Sequence, residues 1–337
     1  MKKVLSALLM LTLVFSLAAC GDEEVELGDY KPGLHLGYSD GNRNSFAYVY
    51  VDAEGFIEDI HIDSVYAKRD SEGPMWDLED DTVNYVGLTK RTLDDGCDYG
   101  MHDDEDDNCE ADEEGKLLWV AQVDALADDV VENQAIPDYS IADGKFDDDA
   151  ITGVTITVTA YYTAIENALE LAELGSDEEP TDFDVPEFDS EGDYTPGIQY
   201  GYSEGHENGH AFLAVNEEGN IVHAAVDVVY FKSTDAETAV YGVMSRGSEA
   251  TGIITTKMSL DYGRDYGMHR DDNGDVVEGE MPWEEQMQAV ADAVVENQGL
   301  EDYAIDGGKF ENPDDAVSGV SITVDHVLEA FEMALDR

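Results

Sequence analysis

Two short stretches concentrate the residues able to do chemistry. One reads Asp149-Ala-Ile-Thr152-Gly153-Val154-Thr155-Ile156-Thr157, and the other Asp315-Ala-Val-Ser318-Gly319-Val320-Ser321-Ile322-Thr323. Hydroxyls on both sides of a glycine suggest a turn feeding a helix N-terminus. Glycine permits the tight backbone, and a Ser or Thr side chain can cap the first helical turn. The same hydroxyls can instead accept a transferred group, and free N–H groups at a helix start favour an anion such as phosphate. On spacing alone both uses stay open, cap and acceptor.

Other chemistries lack their context. Neither a Gly-x-Ser-x-Gly elbow nor a Cys–His pair occurs with supporting context, so no catalytic residue of a hydrolase is assigned. The histidines show no His-x-x-Glu-His spacing, which argues against a catalytic zinc site. Neither acidic run, Asp103 to Glu114 or Asp271 to Asp275, has the EF-hand's glycine at position six with a glutamate at twelve. They read as solvated loops, and no metal ligand set is expected.

The elements that must position the hydroxyls occur twice. Tyr30-Lys-Pro-Gly33-Leu-His-Leu-Gly37-Tyr-Ser39 recurs as Tyr194-Thr-Pro-Gly197-Ile-Gln-Tyr-Gly201-Tyr-Ser203, an offset of 164 residues. Asp98-Tyr-Gly-Met-His102 returns as Asp265-Tyr-Gly-Met-His269, and Trp119-x-x-Gln122 as Trp283-x-x-Gln286. Val130-Val-Glu-Asn-Gln134 returns as Val294-Val-Glu-Asn-Gln298, and Gly144-Lys-Phe146 as Gly308-Lys-Phe310. Repeats of this length are tandem domains, not a solenoid. Alternating stretches such as Ala47 to Val51, then Gly55, then Ile57 to Val65 predict strand, turn and strand, matched by Ala211 to Val215, Gly219 and Ile221 to Tyr230. Trp119, Val123, Leu126 and Val130 share one helical face, as do Met287, Val290, Ala291 and Val294. A last helix carries Val324, Val327, Leu328, Phe331 and Leu335. The expected fold is α+β: two tandem copies of a β-hairpin or antiparallel-sheet domain with packed helices, over 30–174 and 194–337. Residues 175–193, rich in Asp, Glu and Pro, read as an acidic, self-repelling linker.

The 337-residue chain holds 79 acidic and 17 basic residues, a formal charge of −62, yet its hydrophobic fraction of 42% is enough for real cores. Such a field repels phosphate backbones and anionic surfaces, which excludes nucleic-acid partners. The acid surplus reads as a solvated surface adapted to high salt, where charge is screened, rather than as a cation-binding device. Lys2 and Lys3 precede an apolar run from Val4 to Ala19, too short for the ~20 residues of a membrane span. The run has the layout of a secretory signal over 1–19. Its end, Leu17-Ala18-Ala19-Cys20, resembles a bacterial lipobox, which implies lipidation of Cys20 and a lipid-anchored chain on the extracytoplasmic face of the cell membrane, with 20–29 as an acidic tether. In that compartment Cys97 and Cys109 can form a disulfide or remain two free thiols.

The hydroxyl–glycine stretches resemble the flavinylation motif of FMN-binding domains, Asp-x-x-Ser/Thr-Gly-Ala-Thr/Ser-x-Thr. Val154 and Val320 stand where that motif has Ala, and Ser321 where Thr is usual. Such domains occur in a subunit of sodium-pumping NADH:quinone oxidoreductases and in lipoproteins of flavin-based extracellular electron transfer. The Tyr-Gly-Met segment, the Trp-x-x-Gln helix start and the hairpin resemble the lipoprotein members, though His102 and His269 follow Tyr-Gly-Met where Lys is common. The resemblance implies covalent FMN, joined as a phosphoester to Thr155 and Ser321. Asp149, Thr152, Gly153, Asp315, Ser318 and Gly319 would complete the two motifs. Tyr99, Met101, Tyr266 and Met268 are candidates to line the flavin cleft, as are Trp119 and Trp283, for which a place in the core is the competing use. The implied partners are a flavin transferase, a quinol- or NADH-linked membrane donor and an extracellular electron acceptor. The implied role is that of a redox carrier rather than an enzyme with its own substrate. The alternative is a non-redox surface lipoprotein whose duplicated domain binds a ligand or partner.

Overall fold

The computed structural model describes residues 27–39, 45–69, 76–77, 82–83, 85–95, 117–147, 150–203, 208–233, 252–259, 268–271, 274–301, 303–311 and 317–337. The first half runs β1 (Gly33–Tyr38), β2 (Ser45–Val51), β3 (Ile57–Arg69), a two-residue ladder of β4 (Trp76–Asp77) with β5 (Thr82–Val83), and β6 (Tyr85–Thr89). There follow α1 (Lys90–Asp95), α2 (Trp119–Asn133), a second short ladder of β7 (Ile141–Ala142) with β8 (Lys145–Phe146), and α3 (Thr159–Ala172). The second half runs β9 (Gly197–Tyr202), β10 (Gly209–Val215), β11 (Ile221–Ser233), β12 (Gly252–Thr256), α4 (Trp283–Asn297), the ladder of β13 (Ile305–Asp306) with β14 (Lys309–Phe310), and α5 (Asp325–Leu335).

Each half builds one antiparallel four-stranded sheet, ordered β1-β2-β3-β6 and β9-β10-β11-β12. The α+β class expected from the alternating and helical patterns is the class observed. The hairpins β2–β3 and β10–β11 carry a register shift at corresponding places, Tyr50/Val51 and Ala214/Val215. The outer strands β6 and β12 extend each sheet beyond the expected hairpin.

Both faces of each sheet are covered, which explains why every residue of β2 and β10 is buried. Successive side chains of a strand point to opposite faces. Ala47, Val49 and Val51 join Ile57, Ile60 and Ile62 against α2 and α3, while Phe46 and Tyr48 face the other half. In the second half Ala211, Leu213 and Val215 pack on α4 and α5, and Phe212 faces inward to meet Tyr48. The layers therefore run helix, sheet, sheet, helix. α3 lies directly on β1, because a Cβ at Gly37 would fall on the Ala164 carbonyl and the Ala168 amide; Gly201 serves α5 in the same way against Ala330 and Ala334.

The interface between the sheets is aromatic. Tyr48 and Phe212 stack with ring centroids 4.0 Å apart, and Phe46 meets Phe212 edge-on at 6.3 Å. Such pairs contribute about 0.5–1.5 kcal/mol beyond the area they bury. Asp59 Oδ2 accepts a hydrogen bond from the Ile198 amide at 2.6 Å, linking the halves through the backbone. The segment 175–193, expected as an extended acidic linker, lies along this seam. Its apolar residues hold it there: Pro180 is buried, and Val185 and Phe188 pack on Tyr50, Ala214 and Val222.

Both long mid-domain helices end the same way. Gln134 and Gln298 adopt left-handed conformations, at φ 54° and 53°, where Gly is the usual residue. Gln134 Oε1 accepts from the Ile57 amide at 2.7 Å, and its Nε2 donates to the Ile57 carbonyl at 2.8 Å. Gln298 does the same to Ile221, at 2.9 and 2.8 Å. Among the described residues no helix is long and apolar enough to cross a membrane. The segment 1–19, expected as a leader, and Cys20 lie outside the described residues, as do Cys97 and Cys109.

Candidate functional site

The two hydroxyl–glycine turns sit in the helix layers, on the sheet face turned away from the other half. In the first, the Val154 amide donates to the Ile151 carbonyl at 3.2 Å and Gly153 takes φ 86°. In the second, the Val320 amide donates to the Val317 carbonyl at 3.2 Å and Gly319 takes φ 85°. A third turn position at positive φ strongly favours glycine. A Cβ would also press on a neighbour, 2.8 Å from Leu117 Cδ1 at Gly153 and 2.7 Å from Met281 Cε at Gly319.

Beyond the glycine the chain alternates. Val154 and Val158 are buried in the first core and Val320 and Val324 in the second, while Thr155 and Ser321 are exposed. The valine side chains therefore fill the core rather than crowd the hydroxyls. Thr152 and Ser318 are exposed as well.

A buried glutamine fixes each exposed hydroxyl in place. Gln122, 0% exposed on α2, accepts through Oε1 from the Thr155 amide at 2.7 Å and the Ile156 amide at 3.1 Å, with Thr155 Oγ1 at 3.4 Å. Its Nε2 donates to the Leu117 carbonyl at 2.8 Å, so both ends of the side-chain amide are engaged. Gln286, 1% exposed on α4, repeats the arrangement, with the Ser321 amide at 2.8 Å, Ser321 Oγ at 3.4 Å and the Met281 carbonyl at 2.6 Å. The expectation of free N–H groups at these turns is thereby corrected: the amides of Thr155, Ile156 and Ser321 are bound by side-chain oxygens and are not free for an anion. The hydroxyls do not act as helix caps either. α3 and α5 begin after Val158 and Val324, and neither start has a side-chain cap. The amides of Val158 and Val324 donate to the Gly144 and Gly308 carbonyls, both at 2.7 Å, so the short ladders brace each helix start.

Each turn-holding helix opens on a tryptophan that lies over a buried lysine. Trp119 and Trp283, 1% and 2% exposed, belong to the two cores, which answers the choice between cleft and core. Lys90 Nζ lies 4.9 Å from the Trp119 ring centroid and donates to the Tyr161 hydroxyl at 2.9 Å, to which Trp119 Nε1 also donates at 3.0 Å. Lys257 Nζ lies 5.5 Å from the Trp283 ring. A buried carboxylate orders the segment carrying each lysine. Asp63 Oδ1 accepts from the Arg91 amide at 3.2 Å, and Asp227 Oδ1 from the Met258 amide at 3.0 Å. Burial raises Asp63 to about 6 and Asp227 to about 7, against the partial relief of these hydrogen bonds.

Of the expected cleft residues, Met268 is half-buried against the second core, and Tyr99, Met101 and Tyr266 lie outside the described residues, as do Asp149 and Asp315. His102 also lies outside them, while His269, at φ 59°, places Nδ1 3.2 Å from Glu280 Oε2. The holding role of Gln122 and Gln286 had a signal in the sequence, a polar residue repeated on the apolar face of an amphipathic helix. Its target, 33 residues further along, could not be read from that pattern. The buried lysines and aspartates had no comparable signal. The chain matches no protein-family profile, and no curated protein and no solved structure was found similar to it.

Proposed function

We propose that this protein is a lipid-anchored electron carrier of the extracytoplasmic membrane face, holding FMN covalently on Thr155, on Ser321 or on both. One observation carries the reading: in each half an exposed hydroxyl stands on a glycine turn whose backbone is locked from below by a buried glutamine. A transferred group needs an acceptor oxygen that is reachable from outside and fixed in direction. The residues present fit an attached flavin phosphate in that sense, since the side chain following each glycine is buried and the next one is exposed. Attachment forms the Oγ–phosphorus bond of Thr155 or Ser321 as the pyrophosphate bond of FAD breaks, with AMP leaving and the hydroxyl proton passing to the transferase or to water. Bound FMN would supply reversible electron uptake between a quinol- or NADH-linked membrane donor and an extracellular acceptor. The glutamine lock keeps the attachment point still, and the anchor at Cys20 keeps the domains beside the membrane.

Coexpression with a flavin transferase tests the reading. Denatured protein should gain one or two FMN-phosphoryl masses, Thr155→Ala should remove one, and Thr155→Ala with Ser321→Ala should remove both. Peptide mapping must separate Thr157 and Thr323, the neighbouring hydroxyls. Retention of flavin by the double variant overturns the acceptor assignment. Wild type that never acquires flavin beside an active transferase leaves the non-redox lipoprotein as the reading.

A further inference from the structure

The interface between the sheets is unequal on its two sides. With the 164-residue offset, His61 corresponds to Ala225, and Tyr200 and His210 to Leu36 and Phe46. On one side rings fill the seam: His61 and Tyr200 lie with centroids 4.5 Å apart, and the Tyr200 hydroxyl meets His210 Nδ1 at 2.8 Å. On the other side Ala225 and Leu36 leave that space open. A cavity of about 660 Å³ occupies it, bounded by β1, β11, α4 and the segment 175–193. This is within the size of sites that hold small organic ligands, about 300–1,000 Å³.

The lining states its own chemistry. Leu34, Leu36, Phe188, Met258 and Met287 supply an apolar surface suited to a flat ring. Three lining side chains carry buried polar atoms without hydrogen-bond partners, the Tyr48 hydroxyl, His223 Nε2 and Glu284 Oε2. Unpaired buried polar atoms are costly, and a ligand oxygen would relieve the two that can donate, the Tyr48 hydroxyl and His223 Nε2. Burial, and the nearby His35, lower His223 to about 4, so it is neutral at ordinary pH. At the outer edge stand the exposed carboxylates Asp184, Asp292 and Glu296, which repel anions. Glu284, which also lines the cavity, is paired with Arg270 through Oε1 alone, and its unpartnered Oε2, a pure acceptor, adds to the rejection of anions.

We propose that this cavity binds an uncharged, planar aromatic molecule bearing a ring carbonyl, the chemistry of a quinone, with the Tyr48 hydroxyl donating to the carbonyl oxygen and His223 Nε2 as a second polar partner. The inference does not rest on flavin attachment, since no residue of either acceptor turn lines the cavity. It does give the second half a ligand on the same helix, α4, that holds Ser321 through Gln286.

Calorimetric titration of the full chain with menadione, and separately with its sulfonated anion, tests this. Menadione should bind saturably at one site and the sulfonate at least tenfold more weakly. Tyr48→Phe should weaken menadione binding about 2- to 10-fold, the range of one hydrogen bond, while the melting temperature holds or rises because an unpaired buried hydroxyl is removed. Ala225→His, which writes the filled side into the open one, should abolish binding; if that variant does not fold, Tyr48→Phe decides. Absence of saturable binding, equal binding of the sulfonate, or unchanged affinity in Tyr48→Phe overturns the proposal.

Discussion

The two hydroxyl–glycine turns and the seam between the sheets respond to repetition in opposite ways. At the turns, the halves agree in glycine φ to within a degree and in the glutamine contact to about a tenth of an ångström. At the seam, corresponding positions hold His against Ala and Tyr against Leu. The difference has a physical origin. Each turn is packed only against its own half, so the same residues reproduce the same local geometry. The seam joins two corresponding surfaces, and two bulky rings at matching positions would compete for a single space. Interdigitation at crystal-like density requires large residues to face small ones.

Breaking the seam should produce the largest effect. Phe212 is fully buried and touches Tyr48, Phe46 and Tyr200. Phe212→Ala should cost about 3–5 kcal/mol in a denaturant titration, since truncation of a buried ring leaves a cavity. A loss below about 1 kcal/mol would mean that the sheets do not share a core. At the turns the expected cost is smaller but local. Gln122→Ala leaves two amides without their acceptor, worth about 1–3 kcal/mol. It should also lower flavin incorporation at Thr155 while sparing Ser321. Thr155→Ala should change stability by no more than about 0.5 kcal/mol, because the side chain is exposed. It should still remove the attached group, and this separation of stability from attachment sharpens the contrast between the regions.

Acid should distinguish the filled side of the seam from the open side. Burial lowers His210 to about 3, and burial together with Arg91 holds His61 well below its ordinary value. The unfolded chain binds those protons near pH 6.5, so the stability tied to neutral histidines is complete above that pH and is lost as pH falls toward about 3. Asp63 and Asp227 act in the reverse sense. Raised to about 6 and about 7, they favour folding near pH 4, and that share is lost as pH rises through those values. His210→Phe, which installs the first half's residue, should flatten the acid side of the stability profile. Asp227→Asn should gain stability relative to wild type between pH 4 and pH 7. The smallest and least local response is to salt. With a formal charge of −62, the melting temperature should rise from dilute buffer to molar salt, and a flat response would remove the salt-adapted reading of the surface.

Much of the fold was legible because its elements are periodic. The helical faces Trp119, Val123, Leu126, Val130 and Met287, Val290, Ala291, Val294 are buried as expected, and the hairpins lie where the alternation put them. The second covered face of each sheet was harder to see. Phe46, Tyr48 and Phe212 are apolar on the face an ordinary half-exposed sheet leaves to water, but His61, Asp63, His210 and Asp227 on that face read as solvent-facing. Their burial depends on the other half, not on local pattern. The candidate site divides similarly. A glycine between hydroxyls announces a turn, whereas the occupation of the turn's amides by a glutamine from another element is a tertiary fact. The course of the linker 175–193 was not legible because charge dominates its composition, while Pro180, Val185 and Phe188 set where it lies.

The left-handed glutamines that close α2 and α4 carry one more consequence. Each side-chain amide gives one backbone residue both a donor and an acceptor, as a neighbouring strand would. Gln134 is in effect a single detachable rung, added to Ile57 beside the register shift at Tyr50/Val51. Glycine is the better residue for that backbone angle, so a helix-cap rule alone would favour Gln134→Gly. Here the relieved strain would come with a lost rung, and helix and hairpin would part at the point where the sheet bends.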